Sequence, residues 1–135
     1  MATTHDNDGA IRPSDRAAKD RDLFNDIADR YYRKDIIPSS RIPRKHRLLR
    51  TFSVVPWRPG LRVLEVGCGC GYAADYLEGL YADYVGVDYA ERLVEYARRL
   101  HGRDNVRFEA ADINDYRPQG PVDVVVMIGV LHHFD

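Results

Sequence analysis

Apolar residues along this chain change period partway through. Phe24, Ile27, Ala28 and Tyr31 recur at i, i+3, i+4 and i+7, which predicts one face of a helix beginning at Arg21. That helix is expected to end near Ile37, because Pro38 disfavours helical backbone in the residue before it. Leu48, Leu49 and Phe52 predict a second helix over residues 44–52, and Pro56, Pro59 and Gly60 then break the chain. Short apolar runs follow. Residues 62–66, 84–88, 106–110 and 122–128 read as four strands, with helices predicted at 72–80 and 90–100. The second of these aligns Leu93, Val94, Ala97 and Leu100 on one face, and Gly102 is placed to stop it. The fourth run, VDVVVMI, is almost unbroken, as in a strand covered on both faces. Strands alternating with helices predict an α/β fold, a doubly wound parallel sheet with right-handed crossovers. Met1 to Asp20 is polar and without period, so a disordered tail is expected there. The division is therefore tail 1–20, helical cap 21–55 and sheet domain 56–135.

Composition changes this picture little. The chain has 135 residues, 44% hydrophobic and 30% charged, which fits one soluble globular domain. Charge is uneven: residues 1–50 hold 12 Lys/Arg against 8 Asp/Glu, and the remainder 8 against 13. Arg41, Arg44, Lys45, Arg47 and Arg50 form a basic cluster, read first as a solvated helix face. An anionic acceptor, a phosphate or a nucleic acid is the alternative, with nucleic acid the least favoured. Cys68 and Cys70, one residue apart, fit neither a CxxC redox motif nor a zinc site, so no metal is expected. No N-terminal apolar run resembles a signal peptide and no stretch approaches the length of a membrane span, which predicts a cytoplasmic protein with reduced thiols.

Chemistry concentrates just after the strands, where ligands bind in such sheets. The first strand runs into Glu65-Val66-Gly67-Cys68-Gly69-Cys70-Gly71, whose alternating glycines let backbone approach a ligand closely. Asp88 ends the second strand 21 positions after Gly67, near the spacing at which an acid accepts from ribose hydroxyls; capping the next helix is the alternative. Asp112, after the third strand, suits the amine of a base, with Ile113 packed on the ring, or else a turn. Gly129, His132 and His133 follow the fourth strand. Gly69 to Ala74 also satisfies GxGxxA, so an NAD-type dinucleotide site is the rival reading. Glu65 argues against it, since a carboxylate at the loop repels a pyrophosphate.

In that order these residues resemble the class I S-adenosylmethionine-dependent methyltransferases of the small-molecule type, whose fold is Rossmann-like. Glu65 to Gly71 is similar to the family's E/DxGxGxG motif, Asp88 to its acid at the end of strand 2, and VDVVVMIGVLHH to its fourth-strand motif. The helix bearing Phe24, Ile27, Ala28 and Tyr31 is similar to the one with which many members cover the cofactor. The resemblance implies S-adenosylmethionine as cofactor and S-adenosylhomocysteine as product. It implies that Gly67, Gly69 and Gly71 shape the bed for the methionine part, that Asp88 holds the ribose and that Tyr89 lies on the adenine. Asp112 and Ile113 would take the adenine edge and face. Glu65 suits a cationic sulfonium and amino group, and Cys68 and Gly129 complete the set.

Methyl transfer from a sulfonium chiefly needs an aligned acceptor. His132 and His133 are weak candidates for a base; orienting the loop is the alternative. No NPPY-type motif follows the fourth strand, which favours a small molecule, a lipid or a sugar-like acceptor over nucleic acid. Family members continue beyond this motif, so the chain is expected to be truncated after strand 4 and to turn over little. Strand 4 would then be an exposed edge, open to a homodimer or a completing partner. A non-catalytic cofactor-binding or assembly module, dimerising through that edge, is the alternative function.

Overall fold

This computed structural model of the chain describes residues 15–133. Three N-terminal helices, α1 (Asp15–Asp26), α2 (Ala28–Ile36) and α3 (Pro38–Phe52), precede an alternating α/β unit. That unit comprises β1 (Arg62–Val66), α4 (Tyr72–Tyr76), β2 (Asp83–Asp88), α5 (Glu91–His101), β3 (Val106–Ala110) and β4 (Val124–Met127). The strands form one parallel sheet in the order β3-β2-β1-β4. The chain moves outward from β1 to β3, and β4 then returns to the other side of β1.

Several boundaries differ from the sequence reading. Residues 15–20, expected in the tail, open α1, since Arg16, Ala17, Ala18 and Lys19 are strong helix formers. Residues 1–14 of that tail lie outside the described residues. The single helix expected from Arg21 is interrupted at Ile27, yet Tyr31 N still donates to Ile27 O at 2.8 Å, so the apolar face carries across. α3 begins at Pro38, not at residue 44. Proline at the first helical position loses no bond, while Ile37 before it is extended at ψ 125°. Pro43 sits inside the helix, where the carbonyl it would have satisfied belongs to exposed Ser39. The helix expected over 72–80 is a five-residue α4 followed by turns.

Two apolar layers flank the sheet. On one face Val63, Tyr84, Val106, Phe108 and Val126 pack against Leu48 and Phe52 of α3, Ala73, Ala74 and Leu77 around α4, and Val94 and Ala97 of α5. On the other, Leu64, Val66 and Val87 are covered by Ala111, Ile113, Tyr116 and Val122 from the β3–β4 connection. β4 departs from the expected doubly covered strand. Val126 alone of its four residues is buried, while Val125 (55% exposed) and Met127 (43%) face outward. It lies at one end of the described sheet, paired with β1 alone.

Candidate functional site

Strand order reverses between β1 and β4, and the crevice of a parallel sheet opens at the carboxyl ends beside such a reversal. The glycine loop fills that position. Gly67, Gly69 and Gly71 all have left-handed backbone, with φ of 73°, 51° and 84°. Gly67 N and Cys68 N both donate to Val87 O, at 2.8 and 3.1 Å, and Gly71 N donates to Cys68 O at 2.9 Å. The loop is thus tied to the end of β2.

The three glycines do different work. A Cβ on Gly67 would lie 2.2 Å from Val130 Cγ1, in the segment after β4. On Gly71 it would meet Phe108 Cζ at 2.7 Å and Ala97 Cβ at 2.9 Å, so this glycine makes room for the core. Gly86, in β2, yields to the same Phe108 ring at 2.7 Å. Of the three, only Gly69 has room for a Cβ, which would meet Tyr31 Cε1 of α2 in ordinary contact at 3.8 Å. Sequence spacing alone does not separate these roles, because the side a glycine Cα faces depends on the register of β2 and β3.

Beneath the loop stand two buried carboxyls. Asp88 accepts from Gly69 N through Oδ2 and from Ala90 N through Oδ1, both at 2.9 Å. It therefore links the loop to the start of α5 without capping that helix, whose N-cap is Ala90. Burial raises the Asp88 carboxyl above its usual range, and the two amide bonds oppose this. Glu65 is 4% exposed and accepts from the Tyr84 hydroxyl at 2.7 Å. Burial pushes it up to about 8; the Tyr84 bond pulls it down and the Asp88 charge pushes it further up. Tyr84 was not among the residues expected here. Its signal is chemical: an acid inside a strand needs a partner, and Tyr84 lies one strand over on the same face.

A cleft of about 460 Å³ lies between α1 and the segments that follow β2 and β3, lined by Arg21 and Asn25 of α1, Tyr89, Glu91, Ala111 and Asp112 among others. Its size is that of a small-ligand site. Asp112 borders the cleft while its Oδ1 accepts from Asn114 N at 2.9 Å, so it both lines the space and holds a turn. The Tyr89 hydroxyl is buried without a hydrogen-bond partner, and burial pushes it up to about 12. Ile113 lies apart from these, packed on Leu64, Val66 and Val87. Cys68 belongs to the core around Phe108, and Cys70 to an aromatic-rich cluster with Ala28, Ala90 and Leu93. Gly129 has φ 66° and nothing within 4 Å of its would-be Cβ.

Helix α1 reaches across to the segment after β4. Arg16 Nη2 donates to His132 O at 2.8 Å, and His133 Nδ1 lies 2.8 Å from Asp20 Oδ2. The His133 ring also meets Phe24 edge-on, with centroids 5.5 Å apart. Arg16 and Asp20 fell in the expected tail, and only their long-range partners reveal them.

Fold and site together define a parallel α/β domain with a glycine-loop crevice at its strand reversal, built around two buried acids. Residues 63–135, more than half of the chain, match the Methyltransferase domain family, and the chain belongs to it. Over 114 residues it is 32% identical to a ubiquinone biosynthesis O-methyltransferase of Mesorhizobium japonicum, covering 82% of this chain and 42% of that protein. A malonyl-[acyl-carrier protein] O-methyltransferase of Bacillus cereus is 34% identical over 68 residues, 49% of this chain and 25% of the relative. Among solved structures, magnesium protoporphyrin IX methyltransferase from Synechocystis with bound S-adenosylmethionine superposes with a TM-score of 0.67 and 28% identity. That match covers 90% of this chain and 65% of the other. The chain thus spans between a quarter and a half of the length of these curated relatives. No described helix is long and apolar enough to cross a membrane.

Proposed function

We propose that this chain binds S-adenosylmethionine in the crevice beside the glycine loop and is the donor half of a methyltransferase acting on a small molecule. The observation that carries this is the pair of buried carboxyls, Glu65 and Asp88, under a loop whose one open glycine is Gly69. Asp88 raises Glu65 beside it, so a cationic group bound near the pair would be favoured and would draw Glu65 towards its ionised form, while a pyrophosphate would be repelled. That favours a sulfonium and an amino group over NAD. When bound, the sulfonium supplies an activated methyl group for in-line displacement, leaving S-adenosylhomocysteine.

The residues divide the remaining work. Asp88, with one lone pair of each oxygen already fixed by an amide, offers the others to ribose hydroxyls. Asp112 offers an acceptor at the adenine end of the cleft, and Tyr89 packs there. Gly69 leaves room for backbone to approach the methionine part. His132 and His133 stand as base candidates, His133 with Asp20 to orient its Nδ1. The O-methyltransferase names of both sequence relatives support an oxygen on the acceptor. The outer edge of β4, with exposed Val125 and Met127, supports strand pairing there with a second copy or a completing partner.

Calorimetric titration with S-adenosylmethionine, S-adenosylhomocysteine and NAD tests the donor site. Binding of the first two is expected; micromolar affinity for NAD with none for either sulfur compound overturns the reading. Replacing His132 and His133 singly by Ala removes the base role if turnover is unchanged in both. Light scattering tests the β4 edge, a monomer mass in the absence of any partner arguing against self-pairing.

A further inference from the structure

The basic cluster of α3 has no place in the donor site. Residues 36–64 contain no Asp or Glu, although Arg41, Arg44, Lys45, Arg47, Arg50, Arg58 and Arg62 fall within them. Arg44 pairs with Asp35, Arg58 with Asp123 and Arg62 with Asp83. Arg41, Lys45, Arg47 and Arg50 are exposed and make no ion pair among the described residues. The inner side of α3 is spent on Leu48 and Phe52, which leaves Arg47 and Arg50, three apart, on its outer side. Large apolar side chains accompany them: Ile42 is 58% exposed, Val54 81% and Trp57 62%. Val54 and Trp57 stand in the turn that follows the helix, next to its basic last turn.

We propose that the outer side of α3 and the turn through Trp57 form a docking face for an anionic lipid bilayer. Unpaired cations alone suit any polyanion, but exposed aliphatic side chains and a tryptophan among them do not suit a phosphate backbone. A folded acidic protein would need a fitted pocket for each apolar group. A bilayer interface accepts Arg and Lys at its phosphates, tryptophan at headgroup level and aliphatic groups just below. Binding is peripheral, since no described helix can span a membrane. The inference does not depend on the methyltransferase reading.

Trp57 is the chain's one tryptophan, so its emission reports this face directly. The full chain is mixed with vesicles of phosphatidylcholine alone and with vesicles containing phosphatidylglycerol, and followed by Trp57 emission and co-sedimentation. A blue shift and pelleting are expected with the anionic vesicles only, weakening as salt rises. Each cation near such a surface contributes about fivefold, so R47A/R50A lowers partitioning by about 25-fold. Unchanged circular dichroism and S-adenosylmethionine binding in that variant show that it is folded and keep this test separate from the donor-site test. Absence of binding to anionic vesicles overturns the proposal, as does equal binding to phosphatidylcholine. It also falls if duplex DNA or polyglutamate binds more tightly than the vesicles while Trp57 emission stays unchanged.

Discussion

Alanine at three glycines separates what the loop does for folding from what it does for binding. Gly60, Gly69 and Gly71 all have left-handed backbone, at φ 84°, 51° and 84°. An L side chain in that region costs about 1–2 kcal/mol. Gly60 has nothing within 4 Å of a would-be Cβ, so Gly60→Ala measures that backbone cost alone. Gly71→Ala adds contacts of 2.7 Å to Phe108 and 2.9 Å to Ala97, both in the packed core. Overpacking of this kind adds about 1–3 kcal/mol, for a total of about 2–5 kcal/mol. Gly69→Ala has only Tyr31 at 3.8 Å to meet, so its stability should match Gly60→Ala. Its new methyl instead enters the space proposed for the cofactor, and affinity should fall at least tenfold, or about 1.4 kcal/mol. Urea unfolding followed by circular dichroism gives the stabilities, and calorimetry with S-adenosylmethionine gives the affinities. The reasoning is refuted if Gly71→Ala is no less stable than Gly60→Ala. It is equally refuted if Gly69→Ala binds as the native chain does.

The buried acids yield three further tests. Glu65 is raised from 4.5 to about 8 in the folded chain, so the native state keeps a proton that the unfolded chain releases. Stability should therefore fall as pH rises from about 4.5 towards 8 and level off above that, and Glu65→Gln should flatten the slope in urea midpoints. Tyr84→Phe removes the hydroxyl that satisfies Glu65, costing about 1–3 kcal/mol and extending the same slope to higher pH. Asp88→Asn turns one acceptor oxygen into a donor facing the Gly69 or Ala90 amide. About 1–3 kcal/mol of stability should be lost, and with it the proposed ribose contact. Retained cofactor affinity in that variant would argue against Asp88 as a ligand.

The strands were legible because they are short apolar or alternating runs set off by glycine, proline or an acid, and a parallel sheet needs little more than their alternation with helices. The family was legible for the same reason: Glu65, the glycines and Asp88 are close in sequence, and their spacing is the signal. What stayed hidden depends on distant segments. Residues 15–20 of α1 read as polar tail because Arg16 and Asp20 find partners, His132 O and His133, more than a hundred residues away. The start of α3 at Pro38 is missed because pattern does not reveal that the carbonyl Pro43 leaves unpaired is on an exposed residue. Phe108 gave no hint that one ring dictates two glycines, Gly71 and Gly86, drawn from a loop and a neighbouring strand. The spacing that identifies the glycine loop is therefore partly a packing requirement. Gly71 would be demanded by Phe108 and Ala97 even if nothing were ever bound, while Gly69, with only Tyr31 nearby, has no such demand on it. The left-handed backbone that all three share is reason enough for glycine at position 69, and the proposed ligand would add a second.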